Sequence, residues 1–86
     1  MGILIASAAT STQLAPSNYS RSFAAVENTD TNALYLLVGP GTASATNYTV
    51  SLSSGDYYEL PRFVAGMEIN GVWAADGTGG AMVTTI

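Results

Sequence analysis

The sequence predicts an all-β protein: a small antiparallel β-sandwich or barrel of six to seven strands with an extended N-terminal arm. Three observations carry this. No stretch repeats its apolar residues at the helical period of about 3.6. Short runs rich in Val, Ile, Leu, Tyr and Thr recur about every dozen residues. Clusters of Gly, Pro, Asn, Asp and Ser separate them and turn the chain.

Taken in order, residues 1–18 read as the arm and residues 19–86 as a single β-domain. Within the arm, Ile3–Ile5 is the candidate seventh strand. Ala6 to Ser20 is rich in Ala, Ser and Thr and contains Pro16, which suits an extended loop rather than a helix. Terminal arms stay disordered unless something ties them down, and a neighbouring subunit is the expected tie. Arg21 to Glu27 alternates weakly and reads as a strand. Asn28-Thr29-Asp30-Thr31-Asn32 is a turn held by its own Asn and Asp side chains, and should fold that strand back on Leu34–Val38 as a hairpin. Gly39-Pro40-Gly41 ends the apolar run and opens a loop of small residues to Asn47.

Tyr48 to Leu52 alternates, with Tyr48, Val50 and Leu52 on the face assigned to the core. Ser53-Ser54-Gly55-Asp56 supplies the next turn, and Tyr57 to Leu60 forms a strand that Pro61 stops. Tyr57 and Tyr58 must point to opposite faces, so one of them is exposed. Met67, Ile69 and Trp73 share a core-facing parity, with Glu68 and Asn70 opposite. Gly71 on the buried side marks a bulge or a close backbone approach. Ala74 to Gly80 is a hairpin connection to a last strand, Ala81–Ile86.

Composition bounds what such a domain does. A chain of 86 residues buries only about 60–65% of its unfolded surface, so alone it is marginal. With no Cys and no His it has neither disulfides nor the usual zinc and iron ligands, which leaves oligomerisation or docking on a larger partner. Charged residues are 9% of the chain, against about 25% in ordinary soluble domains. Two arginines and six carboxylates give a net charge of −4. That excludes a nucleic-acid partner, which needs a basic face, and an anionic membrane surface. A hydroxyl-rich exterior suits packing among subunits and equally suits a soluble domain with a polar coat. There is no apolar run long enough to span a bilayer. The N-terminus lacks a signal peptide's basic region, and Ala6 stands where myristoylation expects Ser or Thr. Synthesis inside the cell followed by assembly is expected.

Catalytic chemistry is not expected either. Without His, Cys or Lys no ordinary base activates the many hydroxyls. The carboxylates fall in or near turns, where solvated turn formers greatly outnumber catalysts. Residues 28–32 space oxygen ligands alternately, but lack the Gly and bidentate Glu of a calcium loop. Gly77-Thr78-Gly79-Gly80 lacks the Lys and the following helix of a phosphate cradle. Asn18-Tyr19-Ser20 and Asn47-Tyr48-Thr49 match the glycosylation sequon, accidental without secretion. No cofactor and no metal is expected. An exposed Tyr could serve a subunit interface or stack on a sugar.

The segment from Leu34 to Trp73 resembles short virion proteins of tailed bacteriophages. The carrying residues are Asn28 with Leu34-Tyr35-Leu36, then Gly41 to Val50, Gly55 to Pro61, Gly71-Val72-Trp73-Ala74 and Val83-Thr84. The match covers residues 21–85 and leaves the arm outside. The resemblance implies a small β-domain of the particle, sited on the head surface and made in the bacterial host cytoplasm. With the small-size argument, it points to a capsid decoration or cement protein that binds where major capsid protein subunits meet, as a homo-oligomer with a trimer possible. A receptor- or glycan-binding module of a head or tail fibre, or a neck or tail subunit, are the alternatives. The residues expected at an interface are Ile3, Leu4, Ile5, Leu14, Tyr57 and Arg62. The resemblance assigns no catalytic, cofactor or metal residue.

Overall fold

Among the described residues eight strands form two antiparallel four-stranded sheets. The structure is a computed structural model and describes residues 2–86. In chain order the strands are β1 (Gly2–Ala6), β2 (Thr12–Ala15), β3 (Ala24–Asn28), β4 (Leu34–Val38), β5 (Val50–Leu52), β6 (Tyr57–Glu59), β7 (Ile69–Trp73) and β8 (Gly80–Thr85), with one 3₁₀ turn at Arg62–Val64. One sheet has the order β1-β8-β3-β6 and the other β2-β7-β4-β5. Each sheet keeps two open edges, so the sandwich alternative holds and the barrel does not. The Cα extents of 33 × 24 × 16 Å leave room along the short axis for two sheets stacked about 10 Å apart.

The strand number exceeds the expected six to seven because the arm is part of the sandwich. β1 pairs with β8 from Gly2↔Thr84 to Ala6↔Gly80, and β2 pairs with β7. The chain's own sheets therefore tie down residues 2–6 and 12–15, in place of the neighbour expected to hold them. Deleting the arm would take Leu14 and Ala15 out of the core.

Every connection except β4 to β5 crosses between the sheets. The two expected hairpins, β3–β4 and β7–β8, are therefore arches. The physical reason lies in buried polar side chains. Asn28 and Asp30 turn inward at the end of the sandwich and draw the chain across it. Asn28 Nδ2 donates to the Asn32 and Leu52 carbonyls, and Asn28 Oδ1 accepts from the Asp30 amide and from Trp73 Nε1.

Core packing is asymmetric. The β1-β8-β3-β6 sheet contributes mainly small residues, Ala24, Val26, Ala81 and Val83, and the other sheet sends Leu14, Leu34, Leu36, Leu52, Ile69 and Trp73 against them. Small facing large lets the layers interdigitate. Gly71 is the close approach read from its parity: a Cβ there would lie 2.9 Å from Leu34 Cδ1 and 3.0 Å from Leu14 Cδ1. The bulge lies on β2 opposite Asn70 and Ile69, where the register jumps between Gln13 and Ala15.

The loop from Gly39 to Thr49 folds over the outer face of the β2-β7-β4-β5 sheet. Its Ala43 is buried with its amide on Ser11 Oγ, and Asn70 Nδ2 reaches the Gly39 carbonyl. β7 is consequently buried on both faces. Tyr48 belongs to this cover rather than to the core it was assigned to. It is largely exposed and tilts against Tyr35, ring centroids 5.1 Å apart. The small loop displaces it, because β5 begins only at Val50. Trp73 is in the core as expected.

Candidate interaction surface

The outer face of the β1-β8-β3-β6 sheet has no such cover. Paired residues of antiparallel strands lie on one face, and the pairs Leu4↔Met82, Met82↔Glu27 and Glu27↔Tyr57 make a row across all four strands. Leu4 is 58% exposed, Met82 36% and Tyr57 59%. The adjoining row, Gly2, Thr84, Ala25 and Glu59, is small or polar. This face can offer dispersion contact and apolar burial, and the two glutamates are its only charged side chains. Isolated exposed apolar residues need no explanation; here three of them stand in register with Glu27 on one uncovered face.

The six expected interface residues fall into three places. Leu4 and Tyr57 lie in this row. Ile3, Ile5 and Leu14 line a groove of about 240 Å³ between β1 and β2, where the edges of the two sheets part. Ile3 and Ile5 have the inward parity of β1, whereas Leu14 is buried core and offers only its groove-facing side. Arg62 is exposed on the 3₁₀ turn after β6, outside both features. Sequence reasoning missed Met82. Its signal was the alternation of Ala81 and Val83 inward, which leaves Met82 outward.

Arg21 is a structural clamp rather than a site. Its guanidinium donates to the carbonyls of Pro16, Ala65 and Met67 at 3.1, 2.7 and 2.9 Å. It thereby holds the loop before β3 against the loop after β6, and the Asn18 amide adds a bond to the Gly66 carbonyl. Tyr19 and Phe63, 81% and 89% exposed, stand on these two loops.

The fold holds the Asp30 carboxyl below its ordinary pKa. Its carboxylate accepts from the Asn32 amide at 3.0 Å, Asn32 Nδ2 at 2.9 Å and the Gly79 amide at 2.8 Å. The Asn32 amide bond lowers its pKa below 3.8 most, burial opposes, and the Gly79 amide adds to the lowering. Gly77 must be glycine here, because a Cβ would run into both carboxylate oxygens. A carboxyl depressed in the fold stabilises fully above its unfolded value and loses that contribution as pH falls through 3.8 and below. Denaturant midpoints measured from roughly pH 6 to pH 3 should therefore fall for the wild type. Asp30→Asn should start lower and converge with it in acid; parallel curves would contradict the assignment. These bonds tie the 28–32 turn to the 77–79 turn.

Among the described residues no group of three or more His, Cys, Asp or Glu is placed to hold a metal. No helix there is long and apolar enough to cross a membrane. A second hollow, of about 290 Å³, lies under the Gly39–Thr49 loop and is lined by Tyr35, Val72, Trp73 and small Ala and Ser residues, with no carboxylate or cation. No family model matches the chain, and no curated protein or solved structure is significantly similar to it.

Proposed function

We propose that this chain is a structural protein of a tailed-bacteriophage virion. It decorates the head, binding where major capsid protein subunits meet and strengthening the shell by adding contact area. The observation that carries the reading is the bare row Leu4–Met82–Glu27–Tyr57 on one sheet while a loop covers the other. A weakly charged β-face suits burial against another subunit, and about 800 Å² from each partner suffices for specific binding. The likeness of residues 21–85 to short phage virion proteins supports the same reading, as does a small chain with no disulfide to stabilise it.

Quantitative mass spectrometry of purified particles tests it. Copies close to the number of major capsid chains, or a simple fraction of that number, are expected. A handful per particle would move the chain to the neck or tail, and absence from particles would overturn the virion reading.

A second reading has its own observation. Tyr19 and Phe63 stand exposed on loops that Arg21 clamps together. Rings presented on fixed loops suit stacking on a sugar, as in a receptor- or glycan-binding module of a fibre. Retention of the purified chain on immobilised glycans, lost in Tyr19→Ala, would favour it.

A further inference from the structure

The four open edges of the sandwich are unequal. β2 carries a bulge and runs into Pro16. β5 is three residues long, and β6 is three residues with Glu59 in it and Pro61 behind it. Shortness, bulges, charge and proline are the devices that stop an edge from pairing with another chain. β1 has none of them. Its five residues, Gly-Ile-Leu-Ile-Ala, are uncharged, and so is its neighbour β8.

The direction of its free backbone groups follows from the ladder. The Ser7 amide donates to the Gly79 carbonyl, in register with the β1–β8 pairs. Antiparallel ladders alternate, so Ile3 and Ile5 also face β8, while Gly2, Leu4 and Ala6 direct N–H and C=O outward. The geometry points to a symmetric dimer in which the β1 strands of two copies pair antiparallel about Leu4, joining two four-stranded sheets into one.

Three features select a second copy as the occupant. The pairing is self-complementary: Leu4 meets Leu4 of the other copy and Gly2 meets Ala6, all through outward-facing backbone groups. No like charges oppose each other, because neither β1 nor β8 carries any. The same two-fold axis sets Ile3 of each copy beside Ile5 of the other on the inner face, at the mouth of the β1–β2 groove. One operation thus satisfies the open edge, covers Ile3, which is 53% exposed, and closes the groove. The inference is independent of any role in a capsid, and a failed particle assay would leave it standing.

Sedimentation analysis of the full chain, with amide hydrogen exchange, tests it. Wild type should be a dimer at roughly 50 μM, with the Leu4 and Ala6 amides protected. Leu4→Pro removes an N–H that β8 does not use, at an edge position where proline is tolerated, and should give a monomer with native Trp73 fluorescence. Should that variant fail to fold, Leu4→Lys sets like charges opposite each other and should weaken the dimer roughly 100-fold or more. A monomeric or trimeric wild type would overturn the proposal. So would a dimer whose Leu4 and Ala6 amides exchange freely, or one that Leu4→Lys leaves intact.

Discussion

Asn28→Ala is expected to destabilise the fold by about 3–4 kcal/mol, the largest effect of any single polar substitution in this chain. Asn28 is 0% exposed and fills its side-chain capacity with protein partners. Its amide donates to the Asn32 and Leu52 carbonyls at 2.9 Å each. Its oxygen accepts from Trp73 Nε1 and from the Asp30 amide, at 3.1 Å each. Alanine leaves the indole N–H buried without a partner, which costs about 1–3 kcal/mol, and takes from the Leu52 carbonyl one of its two donors, the other being its strand partner Leu34. A domain of this size has only about 5–10 kcal/mol in total. Urea denaturation followed through Trp73, the only tryptophan, would show the midpoint falling by a third or more. A change below about 1 kcal/mol would mean that water replaces the lost bonds and that the network does not hold the arches.

That network also explains which parts of the fold were legible. Period-2 alternation marked β3, β5 and β7, which send alternate side chains to one core, while the apolar run Leu34–Val38 and the flanking turn residues marked β4, β6 and β8. It could not find β2. Leu14 and Ala15 are adjacent yet both buried, because the bulge after Gln13 spoils the alternation. Turn chemistry located the reversals but not their destinations. Residues 28–32 do form the expected Asx contacts, Asn28 Oδ1 to the Asp30 amide and Asp30 Oδ2 to the Asn32 amide. The same side chains also reach Trp73, Leu52 and Gly79, contacts between 24 and 49 residues apart in sequence. Only such long-range bonds separate an arch from a hairpin, and local residue types do not encode them.

The candidate surface was legible to a similar depth. Exposure of Ile3, Leu4 and Tyr57 followed from apolar residues in a segment too poor in large side chains to bury them, and from strand parity. Their grouping did not follow. It depends on strand order: β1 and β6 lie at opposite edges of one sheet, and β8 places Met82 between Leu4 and Glu27. The bareness of that face depends in turn on where the Gly39–Thr49 loop lies.

Gly80→Ala is expected to detach β1 and cost about 3 kcal/mol or more. A Cβ at Gly80 would fall on the Ile5 carbonyl oxygen, 2.9 Å from the Ile5 carbonyl carbon and 3.1 Å from Ala6 Cα. These obstacles are backbone, so no rotamer change relieves them. β1 must move away from β8, which breaks the Ile5↔Ala81 pairing and the Ser7 amide bond to Gly79. Shifting Gly80 instead would strain its bonds with Thr29, whose amide and hydroxyl both donate to the Gly80 carbonyl. The cost is expected to be local. β3, β6 and the other sheet keep the core around Trp73, whose fluorescence should stay native while the Ile3 and Ile5 amides lose their exchange protection. Because the dimer is built on β1, the same variant should sediment as a monomer. Wild-type protection of Ile3 and Ile5 would show that the strand tolerates the methyl group and would remove the case for a rigid edge. Loss of protection with an intact dimer would place the contact elsewhere, on the Leu4–Met82–Tyr57 face.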